Sequence, residues 1–270
     1  MPELPEVECV RRSLEPLTGL KVVEARFFRC EIVTRLGGAS LEQHLNGETV
    51  SCVCRRGKSL AIRTMRGPVV GVHLGMTGRL SLVDLETPME PHTHAAWRLS
   101  NGREVRFVDP RRFGGLWIAP TFEVFEAHVW SRLGPDALEV RAEDLHAARA
   151  SRRSIKSLLL DQALLAGVGN IYADESLFEA GLRPTRRGIR LTGQDLDRLA
   201  EAIRAVLGRA IEAGGSTLRD YRDASGQTGR AQHAHLVYGR AGQCCVRCGM
   251  SLKKGLVSQR TTIWCSHCQR

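Results

Sequence analysis

This 270-residue chain is as informative for what it lacks as for what it contains. It has no run of about 18 apolar residues, so nothing in it reads as a membrane span. Its opening residues, Met-Pro-Glu-Leu-Pro-Glu-Val-Glu, lack the basic start and apolar core of a secretion signal. A cytosolic protein with reduced thiols is therefore expected. No internal repeat is visible, so no repeat architecture is expected. Acidic residues are scarce in one half only. Residues 1–150 carry 20 Lys and Arg against 19 Asp and Glu, whereas residues 151–270 carry 19 against 10. A basic balance can serve solubility alone, but charge gathered in one half favours a polyanionic partner, because neutralised phosphates release counterions. No lysine-rich amphipathic helix with a large apolar face is present, which points to nucleic acid before membrane.

What remains is the composition of a globular protein, 43% hydrophobic and 25% charged, long enough for two domains or one large domain with an appendage. Leu4, Val7, Val10, Leu14 and Leu17 recur at three- and four-residue steps, predicting a helix that Pro5 starts and Gly19 ends. From about Lys21 to Ala119 the period becomes two. KVVEARFF, TVSCVC, SLAIRT, VVGVHL, AAWRLS and EVRFVD read as strands, with a hairpin turn at Ser100-Asn101-Gly102-Arg103. A second hairpin, CVCRRGKSLAI, presents Arg55, Arg56 and Lys58 at its connection. The first domain is thus expected to be a β-sandwich or barrel with a helix at its entrance.

From about Ala142 to Ala213 the pattern turns helical, in SIKSLLLDQALLAG, NIYADESLFEAG and TGQDLDRLAEAIRAVLGRAIEAGG, with Thr192 and Asp195 spaced as a cap. Residues 214–238 show little periodicity and read as a long, functional loop. The segment beyond is too small to fold on a core of its own.

That last segment holds five of the nine cysteines. Cys245 and Cys248 form one C-x2-C pair, and Cys265 and Cys268 form another after 16 intervening residues. Four thiolates in paired knuckles suit one tetrahedral structural zinc ion, leaving no open position for chemistry. Two disulfides are the alternative, and they fit a cytosolic chain poorly. Cys244 and His267 fall outside the paired spacing. Cys9, Cys30, Cys52 and Cys54 are scattered, with Cys52 and Cys54 expected on one strand face. Arg260, on the tip of the expected hairpin, is either a phosphate-gripping guanidinium or merely solvated.

The Met-Pro-Glu start has a chemical reading as well as a bland one, the simple beginning of a helix. Trimming Met1 would leave Pro2 with a secondary α-amine, and an α-amino group has a pKa of about 8 against about 10.4 for lysine. Such an amine can attack a sugar C1′ and form an iminium directly. Glu3 would stand beside it as general acid or base, with Glu6 one helical turn on.

PELPEVE, RRGKSL at 55–60, HLGMTGRL at 73–80, DPRRFGG at 109–115, AGVGNIYADESLF at 166–178, GGSTLRDY at 214–221, VYGR at 237–240 and the terminal cysteine pairs occur in one order along the chain. As an ordered set they resemble bacterial formamidopyrimidine-DNA glycosylases over essentially the whole length. The resemblance implies an α+β chain of three parts. These are a β-sandwich with an entrance helix over 1–130, a helical domain with a helix-two-turns-helix over 131–238, and a zinc-ribbon hairpin over 239–270. The 214–238 loop would cap the extruded base.

It also implies a cytoplasmic, nucleoid-associated monomer that flips oxidised purines from double-stranded DNA, excises them and removes the sugar by β,δ-elimination. By motif, Pro2 is the Schiff-base nucleophile, Glu3 the acid/base and Lys58 the β-elimination lysine, and Arg260 grips the phosphates beside the flipped nucleotide. Glu6, His73, His92, Asn170 and Arg152 (or Arg153) fall on DNA-binding positions. Met76, Arg111 and Phe113 match a wedge that fills the hole left by the flipped base. The chain departs from the pattern at Ala231, where phenylalanine is common, which touches lesion preference. An endonuclease VIII-like enzyme for oxidised pyrimidines and a non-catalytic damage sensor are the alternatives.

Overall fold

Leu4, Val7, Val10 and Leu14 are fully buried along one side of the first helix, α1 (Leu4–Ser13). The computed structural model describes residues 2–38 and 45–270. Pro5 sits in the first turn of α1, where its missing N–H costs nothing. The helix stops short of the expected Gly19. Pro16 has no N–H to continue the ladder, and Glu15–Leu17 closes as a 3-10 turn instead.

The chain divides into two compact units, residues 1–131 with 214–229, and residues 132–213 with 230–270. In the first, one antiparallel sheet orders its strands β1 (Val22–Phe27), β7 (Thr93–Leu99), β8 (Arg103–Val108) and β6 (Arg79–Asp84). The other runs β2 (Val33–Arg35), β9 (Gly115–Ala119), β5 (Val69–His73), β4 (Ser59–Thr64) and β3 (Val50–Arg56), antiparallel except where β2 pairs with β9. The sheets share one core in which Val53, Leu60, Ile62 and Val72 of the second meet Leu80, Trp97, Val105 and Phe107 of the first, closed by Val7, Val10 and Leu14 of α1. This is the expected sandwich with an entrance helix. Truncating a fully buried member such as Leu60 to alanine costs about 2–5 kcal/mol. A short helix α2 (Phe122–Phe125) runs into a π-helical turn, Glu126–Trp130. Trp130 Nε1 donates to Ser59 Oγ at 2.8 Å, fastening that turn to the start of β4.

The second unit holds helices α3 (Ile155–Leu159), α4 (Asn170–Glu179) and α5 (Gly193–Glu212), followed by the hairpin β10 (Lys253–Val257) and β11 (Arg260–Trp264). Thr192 and Asp195 form a reciprocal capping box at the start of α5, as their spacing predicts. The helix expected over 154–167 is much shorter. Asp161 Oδ1 takes the Ala163 N–H, and the Gln162 amide bonds Leu160 O, Val168 O and Gly167 N, so side chains claim the backbone groups a helix would need. Residues 143–150 are likewise a 3-10 segment, Glu143–Ala150.

The loop expected over 214–238 divides between the units. Residues 214–229 belong with the sandwich, because Glu6 Oε1 accepts Ser216 N at 2.7 Å and Ser13 Oγ accepts Ala224 N at 2.9 Å. Residues 230–238 belong with the helices, because the Glu175 carboxylate accepts the N–H groups of Leu236, Val237 and Tyr238 at 2.7–2.9 Å. The hairpin groups with the helical segment in this division.

Candidate functional site

In the first unit the expected chemistry gathers around the N-terminal end of α1. Pro2 and Glu3 are both buried, Glu3 only 2% exposed, and Glu3 is the N-cap of the helix. Glu3 and Glu6 form a capping box in which Glu6 Oε2 accepts Glu3 N at 2.8 Å. The other Glu6 oxygen holds Ser216, and the Tyr221 hydroxyl donates to Glu6 O at 3.1 Å. Glu6, placed among the DNA contacts by resemblance, is thus a buried acid with both carboxylate oxygens engaged by backbone. It ties the N-terminal end of the helix to the returning 214–229 segment. Burial, with Cys9 and Glu6 nearby, pushes the Tyr221 hydroxyl above its ordinary range, so it stays a neutral donor. Burial and Glu6 likewise push the Cys9 thiol up to about 11.

Lys58 lies in the two-residue connection between β3 and β4, where Arg56 pairs with Ser59. This turn is fastened to α1 by Arg55, whose Nε donates to Glu8 Oε2 at 3.0 Å, both side chains being nearly buried. Burial raises the Glu8 carboxyl, but Arg12 and Arg55 outweigh it and hold the group below its usual range. The Lys58 carbonyl bonds His73 Nδ1 at 3.1 Å, and Ser59 is the ladder partner of His73. Burial foremost, helped by the Lys58 charge, lowers the His73 pKa, so the imidazole is neutral at physiological pH. Pro2 and Glu3, the Lys58 turn and His73 are therefore held by one continuous set of contacts.

Next along the same unit stand Met76, His92, Arg111 and Phe113. Met76 is 44% and Phe113 55% exposed, so neither is a core residue. The Arg111 guanidinium lies over the Phe113 ring, 4.7 Å from its centroid. His92 is exposed, with a left-handed backbone at φ 65°. Sequence reasoning missed Asp109, a fully buried carboxylate between these loops. The signal was present in DPRRFGG, where an aspartate precedes the proline of an exposed turn, but Pro and Gly drew the reading.

In the second unit Arg260 opens β11 directly after a tight turn, Ser258-Gln259, with both residues left-handed at φ 49° and 59°. The side chain of Arg260 is exposed, as are Lys253 and Lys254 at the other end of the hairpin, where they pair with Trp264 and Ile263. Asn170 Nδ2 donates to Thr261 O at 3.1 Å, which places Asn170 against the residue that follows Arg260. The hairpin is fixed from below by a pair that sequence reasoning did not find. Lys156 Nζ lies 2.7 Å from Asp174 Oδ1 and donates to Thr262 Oγ1 at 2.8 Å and Thr261 O at 3.1 Å, while Asp174 Oδ2 accepts Ile263 N. Both residues are fully buried, and burial lifts Asp174 to about 6 even against the Lys156 charge. Of the two adjacent arginines, Arg153 is held by Asp161 and Ser157, whereas Arg152 is exposed and makes no ion pair among the described residues. Ala231 is buried at the start of a 3-10 turn, Ala231–Ala234.

The Sγ atoms of Cys245, Cys248, Cys265 and Cys268 all lie within 4.8 Å of one another, with Cys245 to Cys268 at 3.9 Å and Cys248 to Cys265 at 3.4 Å. A tetrahedron of sulfurs about 2.3 Å from one ion has edges of about 3.8 Å, so the four thiols fit a single metal ion. Every described cysteine is a free thiol, which sets aside the disulfide alternative. Cys244 is exposed and, like His267, lies outside the cluster. Among the described residues no helix is long and apolar enough to cross a membrane.

The sequence and the fold have counterparts among known proteins. Residues 1–116 match the model of the formamidopyrimidine-DNA glycosylase N-terminal domain, and residues 133–222 match that of the formamidopyrimidine-DNA glycosylase H2TH domain. The chain is 43% identical to the formamidopyrimidine-DNA glycosylase of Stenotrophomonas maltophilia and 40% identical to that of Geobacillus kaustophilus, covering all of both chains in each case. Among solved structures, it resembles the MutM (Fpg) protein of Thermus thermophilus with a TM-score of 0.87 at 40% identity, covering 99% of this chain and 98% of that one. It resembles a Lactococcus lactis FPG mutant in complex with a Fapy-dG containing DNA with a TM-score of 0.91 at 33% identity, covering 100% of both.

Proposed function

Since the chain belongs to the formamidopyrimidine-DNA glycosylase family, DNA-repair glycosylases of oxidised purines, we propose that it is bifunctional, excising the base and then cleaving the abasic sugar through a Schiff base on Pro2. The observation that carries this reading is the position of Pro2, immediately before a buried glutamate that caps α1, the helix to which Arg55 fastens the Lys58 turn through Glu8. Met1, whose removal frees the Pro2 nitrogen, lies outside the described residues.

The Pro2 nitrogen attacks C1′ of the flipped nucleotide as the glycosidic bond breaks, and the departing base takes a proton. The nitrogen then loses its proton and its lone pair closes an iminium to C1′ as the C1′–O4′ bond breaks, the ring oxygen leaving protonated as a hydroxyl. Glu3 serves proton transfer at the sugar, its carboxyl held at the N-cap. Loss of a C2′ proton with departure of the 3′ phosphate from C3′ is the β-elimination, to which Lys58 contributes, and loss of a C4′ proton with departure of the 5′ phosphate from C5′ is the δ-elimination. Hydrolysis of the iminium returns Pro2. His73 Nδ1 donates its proton to the Lys58 carbonyl, so Nε2 is an acceptor in the neutral ring and gains the N–H that a phosphate contact needs when the incoming anion favours the imidazolium. Asn170, Arg152 and Arg260 supply further phosphate contacts, and Met76, Arg111 and Phe113 fill the space left by the base.

The four cysteines are proposed to hold one zinc ion, which supplies folding energy to the hairpin and no chemistry to the reaction. Double-stranded DNA as substrate is supported by solved relatives bound to Fapy-dG containing DNA and to an abasic site containing DNA.

The reading is tested with duplexes carrying 8-oxoguanine, a formamidopyrimidine or an oxidised pyrimidine. Release of the two purine lesions in clear excess is the expected result. A preference for the pyrimidine would move the assignment to an endonuclease VIII-like enzyme.

A further inference from the structure

We propose that Asp109 is the positioning residue of the wedge: its buried carboxylate sets the two loops that carry Met76, Arg111 and Phe113, so that they enter the duplex as one rigid body. The proposal rests on the reading that these residues act on DNA. Asp109 follows β8 and is completely buried, and its two carboxylate oxygens serve different loops. Oδ1 accepts the Thr77 hydroxyl at 2.6 Å, next to Met76, and Oδ2 accepts Gly114 N at 2.7 Å, next to Phe113. Thr77 Oγ1 in turn accepts Arg111 N at 3.3 Å. The backbone of the same residue joins a third loop, since Asp109 N donates to His92 O at 3.1 Å and Asp109 O accepts His94 Nε2 at 2.8 Å.

The loops are also locked sterically. A Cβ at Gly75 would lie 2.3 Å from the Phe113 carbonyl carbon, and one at Gly114 would lie 2.6 Å from His73 O. Arg112 and His92 are held left-handed at φ 56° and 65°, strain that persists only where neighbouring contacts over-determine the backbone.

The chemistry calls for a carboxylate here. Both oxygens face donors, and an ionised aspartate is acceptor-only. An asparagine would turn its NH2 toward either the Gly114 N–H or the Thr77 hydroxyl. In the first case two donors oppose each other. In the second the hydroxyl must accept where it now donates, which disturbs its bond to Arg111. The exposed Met76 and Phe113 side chains have little packing of their own to hold them, so their placement depends on the loops beneath. Extruding a base costs a few kcal/mol of stacking and pairing, and a wedge displaced by about 1 Å forfeits much of what offsets that cost.

A residue that merely knits the fold would affect every substrate alike. A residue that positions the wedge matters only when a base must be extruded. The test uses the full-length, zinc-loaded protein and the variants Asp109→Asn and Thr77→Val. Single-turnover rates are measured on a duplex with 8-oxoguanine opposite cytosine, and on the same duplex with a preformed abasic site. A 2-aminopurine beside the lesion reports unstacking.

The expected result is a loss of about 10-fold or more on the paired lesion with slowed 2-aminopurine unstacking, and about 3-fold or less on the abasic duplex. Thr77→Val keeps the side-chain shape and removes only the hydroxyl, so it carries the test if Asp109→Asn folds poorly. Equal losses on both duplexes, or no loss on either in both variants, would overturn the proposal. An unmodified enzyme inactive on both duplexes would instead overturn the functional reading beneath it.

Discussion

The β-sandwich and the cysteine-bearing hairpin each carry groups proposed to act on DNA, and they hold them by different means. In the sandwich, Pro2, Glu3 and Lys58 sit on elements already fixed by a broad apolar core, and buried acids then tune the placement: Glu6 at the start of α1, Glu8 under the Lys58 turn, Asp109 under the wedge. The hairpin has almost no core. Its apolar cluster is Phe178, Val237, Leu252 and Ile263 with the sulfurs of Cys245 and Cys265, and Arg260 stands after a turn of two left-handed residues. Such a piece needs the metal site at one end and the buried Lys156–Asp174 pair at the other. The difference teaches where rigidity comes from: area in the sandwich, a few strong polar contacts in the hairpin. The hairpin should therefore fail to single, chemically specific insults that leave the sandwich standing.

The largest such insult is removal of the zinc ion proposed for the four cysteines, since zinc binding to a small ribbon carries about 10–16 kcal/mol of folding free energy. Chelation, or Cys265→Ser, is expected to abolish protection of hairpin amides from hydrogen exchange and to abolish DNA binding, with sandwich amides still protected. Simultaneous loss of protection in both regions would contradict the contrast.

Lys156→Met comes next. Removing one partner of a fully buried ion pair costs about 3–5 kcal/mol. The loss is expected to grow with pH. Lys156 now holds Asp174 down, so without it the carboxyl rises further above its unfolded value. A group with a raised folded pKa gives stability below that pKa and withdraws it as pH rises through it. Thermal unfolding of the variant and the parent across about pH 5 to 8 should therefore diverge toward high pH. Curves that run parallel would show that the pair is not coupled as described.

Arg260→Ala is the mildest change. It should weaken DNA binding about equally for all sequences and reduce the salt slope of the binding constant by about 1 while leaving stability unmoved. An unchanged slope would remove Arg260 from the phosphate contacts.

How far the sequence foretold this follows the same divide between local and distant. The strand alternation, the Ser100–Arg103 turn, the Thr192 cap and the C-x2-C pairs are local patterns, and the structure carries each of them. The early end of α3 was hidden because the competing bonds come from Asp161 and Gln162, polar residues that a helix also tolerates on its surface. Lys156 and Asp174 could not be paired by spacing, since they lie on separate helices and both reach for β11, whose Thr262, bonded by the lysine, is 106 residues beyond it. Asp109 could be noticed in DPRRFGG, but its role could not be read there, because its partner Thr77 lies 32 residues away on another loop. The return of residues 214–229 to α1 depends on Ser216 meeting Glu6 across 210 residues.

The central claim is that a secondary amine at Pro2 does the covalent chemistry on a damaged purine. Borohydride trapping on a duplex with one 8-oxoguanine opposite cytosine, with intact mass and peptide mapping of the same sample, tests it most directly. The account predicts a covalent protein–DNA adduct at Pro2 on chains lacking Met1. Absence of any adduct from protein that lacks Met1 and binds the duplex, or an adduct mapped to Lys58 instead, would contradict it.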